Sequence, residues 1–217
     1  MYRKELYVKP RKYDSSRRRE QARETRRAIL DAAQDLFLER GYVETTMPAV
    51  ADAAAVSVET IYKAFANKAG LIKAVFDVAI VGDDEPIPML ERDLVRRIRA
   101  EPDPRGKLRI YGEHLAGAAP RTSALQLLLR GAAVSDREAA RMWDRMLAER
   151  LTGMALFARE LHEEDHLRQE ISFEEARDVL WTYNSVELYD LLVLQRGWTD
   201  ERYGRFIAEA LITALLR

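Results

Sequence analysis

The chain has 217 residues, 47% hydrophobic and 33% charged, with 10 Gly, 7 Pro and no Cys. That length suits one extended domain or a small domain joined to a larger one, and the missing cysteines exclude a disulfide framework, thiolate catalysis and Cys-containing zinc fingers. The formal charge of −1 conceals an asymmetry: residues 1–68 carry +4, residues 69–217 carry −5, and the first 27 residues hold 11 basic against 4 acidic side chains. Such a basic leading segment fits either a polyanion-binding module ahead of a separate body or a solvated tail. The longest apolar run, near Leu188 to Leu194, is broken by Asp190 and falls far short of the roughly 20 residues that span a bilayer. No secretory pattern opens the sequence, so a soluble, cytoplasmic protein with no membrane partner is expected.

Apolar positions Ile29, Ala33, Leu36 and Phe37 recur at helical spacing, and Gly41 marks the end of that first helix. Thr46 is suited to cap a short second helix through Val50, Ala51 and Ala54, with Pro48 in the first turn, where a missing N–H costs nothing. Ser57 caps a third helix with Glu59 in its first turn and the ladder Ile61, Tyr62, Phe65. Asn67 caps a fourth, from Leu71 to Ala79, which ends near Gly82 before the polar loop Asp83 to Pro88. Beyond the loop the pattern predicts helices at about 89–100, 105–118, 121–133, 136–163, 173–195 and 199–216, divided by Pro102/Pro104, Pro120 and polar stretches. Capping boxes are expected at Ser135/Glu138 and Ser172/Glu175. No β-branched run alternates with polar residues, so the fold class is all-α, with about nine helices.

Helices two and three are joined by a tight link and follow a basic helix, the form of a helix-turn-helix, whose second helix enters the major groove while flanking groups hold phosphates. Thr60, Tyr62 and Lys63 offer hydroxyls and an ammonium at one end of helix three, and Val58 suits a thymine methyl. Lys68 in the first turn of helix four opposes the helix dipole, which makes sense if a phosphate binds there. As plain structure, Tyr62 and Phe65 would be core residues of a three-helix unit; we take Phe65 as core and the Tyr62 hydroxyl as a phosphate contact. Arg17, Arg18 and Arg19, in a leading segment longer than the module needs, are expected to add phosphate or minor-groove contacts as an arm.

The stretch GYVETTMPAVADAAAVSVETIYKAFANKAGL, residues 41–71, resembles the DNA-binding signature of the tetracycline-repressor-like (TetR) transcriptional regulators: Gly-Tyr, Thr-Thr, an apolar-Ala pair, a Val-Ser turn, Thr-apolar-Tyr, Phe and Asn-Lys. The resemblance implies a basic arm (1–20), a three-helix DNA-binding domain (21–68) and a helical effector-binding and dimerisation domain (69–217). It further implies a homodimeric repressor that a small-molecule effector releases from a near-palindromic double-stranded DNA operator. Carried over by position, Thr46, Tyr62 and Lys68 would bind phosphates, and Val58, Glu59, Thr60 and Lys63 would face base edges. It implies no cofactor, and we assign no catalytic or metal-binding residue. The sequence departs from the pattern at three places. Ala55 holds the turn position usually given to Gly, Glu59 replaces a small residue, and Pro48 stands where some relatives carry a basic one.

His162-Glu163-Glu164-Asp165-His166 is a literal H-E-x-x-H, the helical spacing of a zinc-dependent hydrolase. That hydrolase is the rival reading, although the segment is intensely polar and sits at a predicted helix end; a non-specific DNA-binding helical protein is a second. In the body of the chain, the helix at 136–163 bears an apolar stripe that includes Trp143, Met146 and Phe157. Alone it reads as core. Given the resemblance, those three with Tyr111, His114 and Trp181 become candidates for an effector pocket. The last two helices are the implied dimer interface, through Val186, Leu191, Tyr203, Phe206, Ile207, Ala210 and Leu211, because helices apolar on more than one side need more than one partner.

Overall fold

The computed structural model describes residues 15–217 apart from Pro86 and Pro88. Among these residues the chain forms ten α-helices and no strand; a single backbone bridge ties Leu167 to Leu216. No helix among them is long and apolar enough to cross a membrane.

The N-terminal elements follow the capping chemistry of the sequence. Helix α1 spans Ser15–Glu44 with a break at Gly41 (φ 78°), a backbone angle that glycine adopts without a Cβ clash. The basic segment from Ser15 is thus the start of a long helix, and Arg17, Arg18 and Arg19 ride on its first turns rather than on an extended arm; residues 1–14 lie outside the described residues. Helix α2 (Met47–Ala53) is capped by Thr46, α3 (Val58–Phe65) by Ser57 and α4 (Lys68–Val81) by Asn67, each side chain accepting a first-turn amide. Gly82, left-handed at φ 86°, closes α4.

Several expectations for the remainder are corrected. A 3₁₀ turn (Met89–Glu91) and α5 (Asp93–Ala100) replace one helix at 89–100. Helix α6 (Pro104–Ala132) runs unbroken through Pro120, where two helices were expected. Its buried residues continue on both sides of the proline, from Leu108 and Leu115 to Leu125 and Leu129. Helix α7 (Arg137–Glu163) is capped by Asp136, not by a Ser135/Glu138 box. The Ser135 and Asp136 amides both close onto the Ala132 carbonyl, so the chain leaves the α6 terminus one residue later. The Asp136 carboxylate then accepts from the amides of Glu138 (2.8 Å) and Ala139 (2.9 Å).

Helix α8 (Phe173–Tyr183) has the full Ser172/Glu175 capping box, but the expected helix at 173–195 stops at Asn184 and restarts as α9 (Val186–Tyr189), followed by π-type turns over Asp190–Gln195. The break has a tertiary cause: Arg150 Nη1 donates to the Asn184 carbonyl at 3.2 Å. Helix α10 (Asp200–Leu215) completes the chain.

Two hydrophobic cores share α6. One gathers α1–α4 around Phe37, Ile61 and Leu71 with Leu125 and Leu129 of α6; the other joins α5, α7, α8 and α10 around Leu108, Leu161, Leu180 and Ile207. Helices α6 and α10 touch backbone to backbone. A Cβ on Gly112 would stand 2.5 Å from the Gly204 carbonyl oxygen, and one on Gly204 equally close to that of Gly112. This packing corrects the assignment of the last helices. Val186, Tyr203, Ile207 and Leu211 are buried within the chain, Ala210 is half-buried, and only Leu191 and Phe206 of that set are exposed. One apolar side of α10 meets α6 of the same chain.

Gly112→Val should therefore destabilise the fold by about 3 kcal/mol, at the upper end for an overpacked contact, since backbone rather than a flexible side chain must move. Gly117→Ala on the same helix, where a Cβ meets nothing within 4 Å, should instead gain about 0.5–1 kcal/mol from helix propensity. Urea unfolding of the two variants measures both.

Candidate functional site

The α2–α3 unit is built on a buried anchor. The Thr45 hydroxyl, 1% exposed, lies 3.0 Å from the Leu36 carbonyl and 2.8 Å from the Gly41 carbonyl, so it holds the end of α1 against the start of α2. Ala55 forms the turn with φ 53°, and the Val56 amide closes onto the Ala51 carbonyl at 3.0 Å. Ala thus occupies a left-handed position that costs an L-residue roughly 1–2 kcal/mol.

With the turn fixed, α3 divides cleanly. Ile61 and Phe65 enter the core and Val58 packs half-buried against it, whereas Glu59, Thr60, Tyr62 and Lys63 face solvent, as does Thr46 at the start of α2. Tyr62 is 49% exposed and is not a core residue, while Phe65 is core. Hydrogen bonds from the backbone amide of Glu59 and from Ser57 hold the Glu59 carboxyl below the usual range. It is anionic, engaged in its own helix cap, and repels a phosphate beside it.

Lys68, expected as a phosphate contact, turns back onto the preceding segment. Its ammonium donates to the carbonyls of Tyr42 (2.7 Å) and Val43 (3.2 Å) and lies 4.4 Å from the Tyr42 ring centroid. The cation satisfies the carbonyl end of the preceding segment, which is its physical reason for opposing the α4 dipole, and burial lowers its pKa. Arg17, Arg18 and Arg19 are exposed.

A cavity of about 510 Å³ opens in the body, walled by α4 to α7, α9 and α10. It is lined by Tyr111, His114, Trp143, Met146 and Phe157, which brings together five of the six pocket candidates. Trp181 is displaced from it: its Nε1 donates to the Leu147 carbonyl at 3.4 Å and its ring backs the Arg150 guanidinium at 4.6 Å. The Tyr111 hydroxyl donates to the Met154 sulfur at 3.3 Å, and its ring meets Phe157 edge-on at 5.4 Å. Burial pushes the Tyr111 and Tyr203 hydroxyls up. Burial, reinforced by Arg121, pushes His114 down to about 4, so the imidazole is neutral at physiological pH.

Sequence reasoning missed Arg150 and Asn184, which also line the cavity. A signal existed. Arg150 lies four residues from both Met146 and Met154, a charge within the apolar stripe.

The H-E-x-x-H spacing does not survive folding. His162 stands on the last turn of α7, the helix ends at Glu163, Asp165 takes φ 55°, and His166 follows beyond with its Nε2 at 3.1 Å from Glu164 Oε2. The two imidazoles are therefore not one helical turn apart, and among the described residues no group of three His, Cys, Asp or Glu is arranged to hold a metal ion. The hydrolase reading loses its geometric basis.

This geometry defines a class: a helix-turn-helix domain set on an all-helical body that encloses a cavity. Residues 29–75 match the family described as bacterial regulatory proteins, tetR family. Over these residues the chain carries a DNA-binding domain of the tetR type. The HTH-type transcriptional regulator YdeS of Bacillus subtilis is 42% identical over 74 residues, 34% of this chain and 37% of that protein. The HTH-type transcriptional regulator TtgR of Pseudomonas putida is 43% identical over 61 residues, 28% of this chain and 29% of that protein. The chain thus matches about a third of the length of these curated relatives. Over the whole fold, the transcriptional regulator FadR of Bacillus subtilis, solved in complex with stearoyl-CoA, superposes with a TM-score of 0.65 at 21% identity, covering 86% of this chain and 97% of that one. That likeness establishes the architecture alone.

Two outcomes follow. Ala55→Gly should stabilise the protein by about 0.5–1 kcal/mol, the relief of left-handed strain less the added freedom of the unfolded chain, measured by urea unfolding. His114, neutral in the fold down to about pH 4, gains its proton near pH 6.5 when unfolded. Stability should then fall as pH drops from 6.5 to 4, by about 2 kcal/mol from this group after screening by cavity water. Unfolding at pH 7 and pH 4.5 should show a shallower fall in His114→Gln than in wild type.

Proposed function

We propose that this chain is a sequence-specific DNA-binding transcriptional regulator, a cytoplasmic homodimeric repressor that a small-molecule effector releases from its operator. It is not an enzyme in this reading. The observation that carries it is the outward face of α3. Thr60, Tyr62 and Lys63 are exposed on a helix whose other side is fixed by Ile61 and Phe65, the form in which a recognition helix offers its polar side chains to the major groove. Thr46 and the arginines of α1 supply phosphate contacts. Val58 reaches a base edge only along its exposed fraction, and Glu59 acts as a selector against wrong bases and registers, its one favourable base contact being a cytosine amino group. Lys68 positions the module from within.

Dimerisation in this reading uses Leu191, Leu194 and Phe206, which are 51%, 54% and 39% exposed, with Trp198 edge-on to Phe206 at 5.5 Å. A two-fold axis through this patch would set two recognition helices on a near-palindromic site. The cavity supports an effector site, as the stearoyl-CoA complex of the FadR structure illustrates for that protein. Helix α4 is the natural coupling element, because Phe76 and Ile80 line the cavity while Leu71 and Ile72 belong to the helix-turn-helix core. A ligand that shifts α4 changes the separation of the two modules, and DNA and ligand then oppose each other reciprocally.

Selection of bound sequences from a random duplex library at near-physiological salt tests the reading, with Tyr62→Ala/Lys63→Ala as control. A near-palindromic site recovered by the wild type and lost in the control is the expected result. Recovery of the same sequences by both proteins, or salt-sensitive binding with no preferred sequence, would overturn specific regulation in favour of a non-specific DNA-binding protein.

A further inference from the structure

The cavity holds one cation that the fold leaves without a counter-charge. Its other charged lining residues have partners: Asp77 and Glu149 share Lys73, at 2.7 and 2.9 Å, and Glu160 pairs with Lys107 at 2.9 Å and with the lining Arg99 at 3.7 Å. Arg150 also lines the cavity and forms no ion pair among the described residues. The acid whose field reaches it, Glu187, is held by Arg130 at 3.0 Å. Its visible partners are the Asn184 carbonyl and the face of Trp181. Its Nε is shut off from solvent and bonded to nothing. A half-buried guanidinium with an unsatisfied N–H is costly unless an acceptor arrives, and burial lowers its pKa accordingly.

We infer that Arg150 is the anchor for an anionic headgroup, and that the cavity takes an amphipathic monoanion: one carboxylate on an apolar body. The inference rests on the reading of the cavity as an effector site and names the class of effector. Each part of the ligand has its counterpart. Phe76, Ile98, Leu115 and Phe157 supply apolar wall. The guanidinium carries the planar fork of N–H donors that matches a carboxylate. At this anchor a cationic ligand would meet the like charge of Arg150. A neutral ligand would leave Arg150 as it stands.

Calorimetric titration of the DNA-free full chain with 6-phenylhexanoate, 6-phenylhexan-1-ol and 6-phenylhexylamine tests this. The expected order of affinity in the wild type is acid, then alcohol, then amine. In Arg150→Met the acid should lose roughly ten- to a hundredfold, the worth of a charged hydrogen-bond pair, while alcohol binding is retained and certifies the fold. Arg150→Lys should recover part of the acid affinity. Should the Met variant fail to fold, the wild-type order and the Lys variant still decide. Equal binding of acid and alcohol, preference for the amine, acid affinity unchanged in Arg150→Met, or no binding of any of the three would overturn the assignment. Binding in the expected order with no effect on a selected duplex would uphold the anion site and remove the effector role. A selected duplex with no preference for the acid would remove the anion site and leave the DNA-binding reading intact.

Discussion

The continuity of α6 through Pro120 is the constraint on which the rest of the fold depends. An interior proline removes one helical hydrogen bond and costs about 3 kcal/mol, so the helix would be expected to end there. It does not, because the residues on either side belong to different cores. Leu108 and Leu115 lie in the core of the body and Leu125 and Leu129 in the core of the N-terminal helices. Leu108, Leu125 and Leu129 are at most 1% exposed, each worth roughly 1.5–3 kcal/mol when buried. Breaking the helix between them would detach one core from the other. The proline itself is exposed, so its missing donor falls on the solvent side. Its neighbour Arg121 donates to the carbonyls of Gly117, Ala79 and Ile80 and ties this same point to the end of α4.

What could be read in the sequence divides along range. Helix starts set by a side chain three residues from its partner were legible, since Thr46, Ser57, Asn67 and Ser172 need only their own next turn to act as caps. The left-handed Gly41 and Gly82 are local in the same sense. Element ends decided by distant groups were not. Pro120 is overruled by two cores, the stop at Asn184 involves an arginine 34 residues earlier, and the cap before α7 slips from Ser135 to Asp136 because the end of α6 claims the Ser135 amide. Periodicity marked α10 as apolar on more than one side, yet it carries no information about which helix fills each side. The glycine pair Gly112 and Gly204 set α6 against one of them.

The candidate site follows the same division. The outward polar face of α3 is a property of one short helix, and the periodicity that buries Ile61 and Phe65 exposes Thr60, Tyr62 and Lys63. Charges whose role depends on a second element were misjudged in both directions. Lys68 reads as a ligand-binding cation and in fact satisfies the carbonyls of Tyr42 and Val43. Arg150 passes unnoticed among the apolar residues of α7 and proves to be a half-buried cation lining the cavity. The His162/His166 pair shows a motif undone by one helix terminus: the spacing means one turn only while the helix lasts, and it stops at Glu163.

These observations converge on α4. Its first residue is fixed to the end of α1 by Lys68, its middle is pinned to α7 through Lys73 and Glu149, and its last carbonyls accept from Arg121 of α6. Between those points Phe76 and Ile80 face the cavity, and Leu71, Ile72 and Val75 lie in the core that the N-terminal helices share with α6. A close-packed helix held at both ends and in the middle transmits displacement because it has little room to deform. Its attachments differ in strength, however. The Lys73–Glu149 pair is partly solvated, with the carboxylate side chain 54% exposed, and such pairs contribute at most about 1 kcal/mol. Leu71, Ile72 and Val75, in the core shared by the N-terminal helices and α6, are no more than 1% exposed. Helix α4 is therefore held weakly toward α7 and firmly by an apolar core in which the N-terminal helices and α6 meet, which makes it the element that joins the helix-turn-helix to the cavity wall.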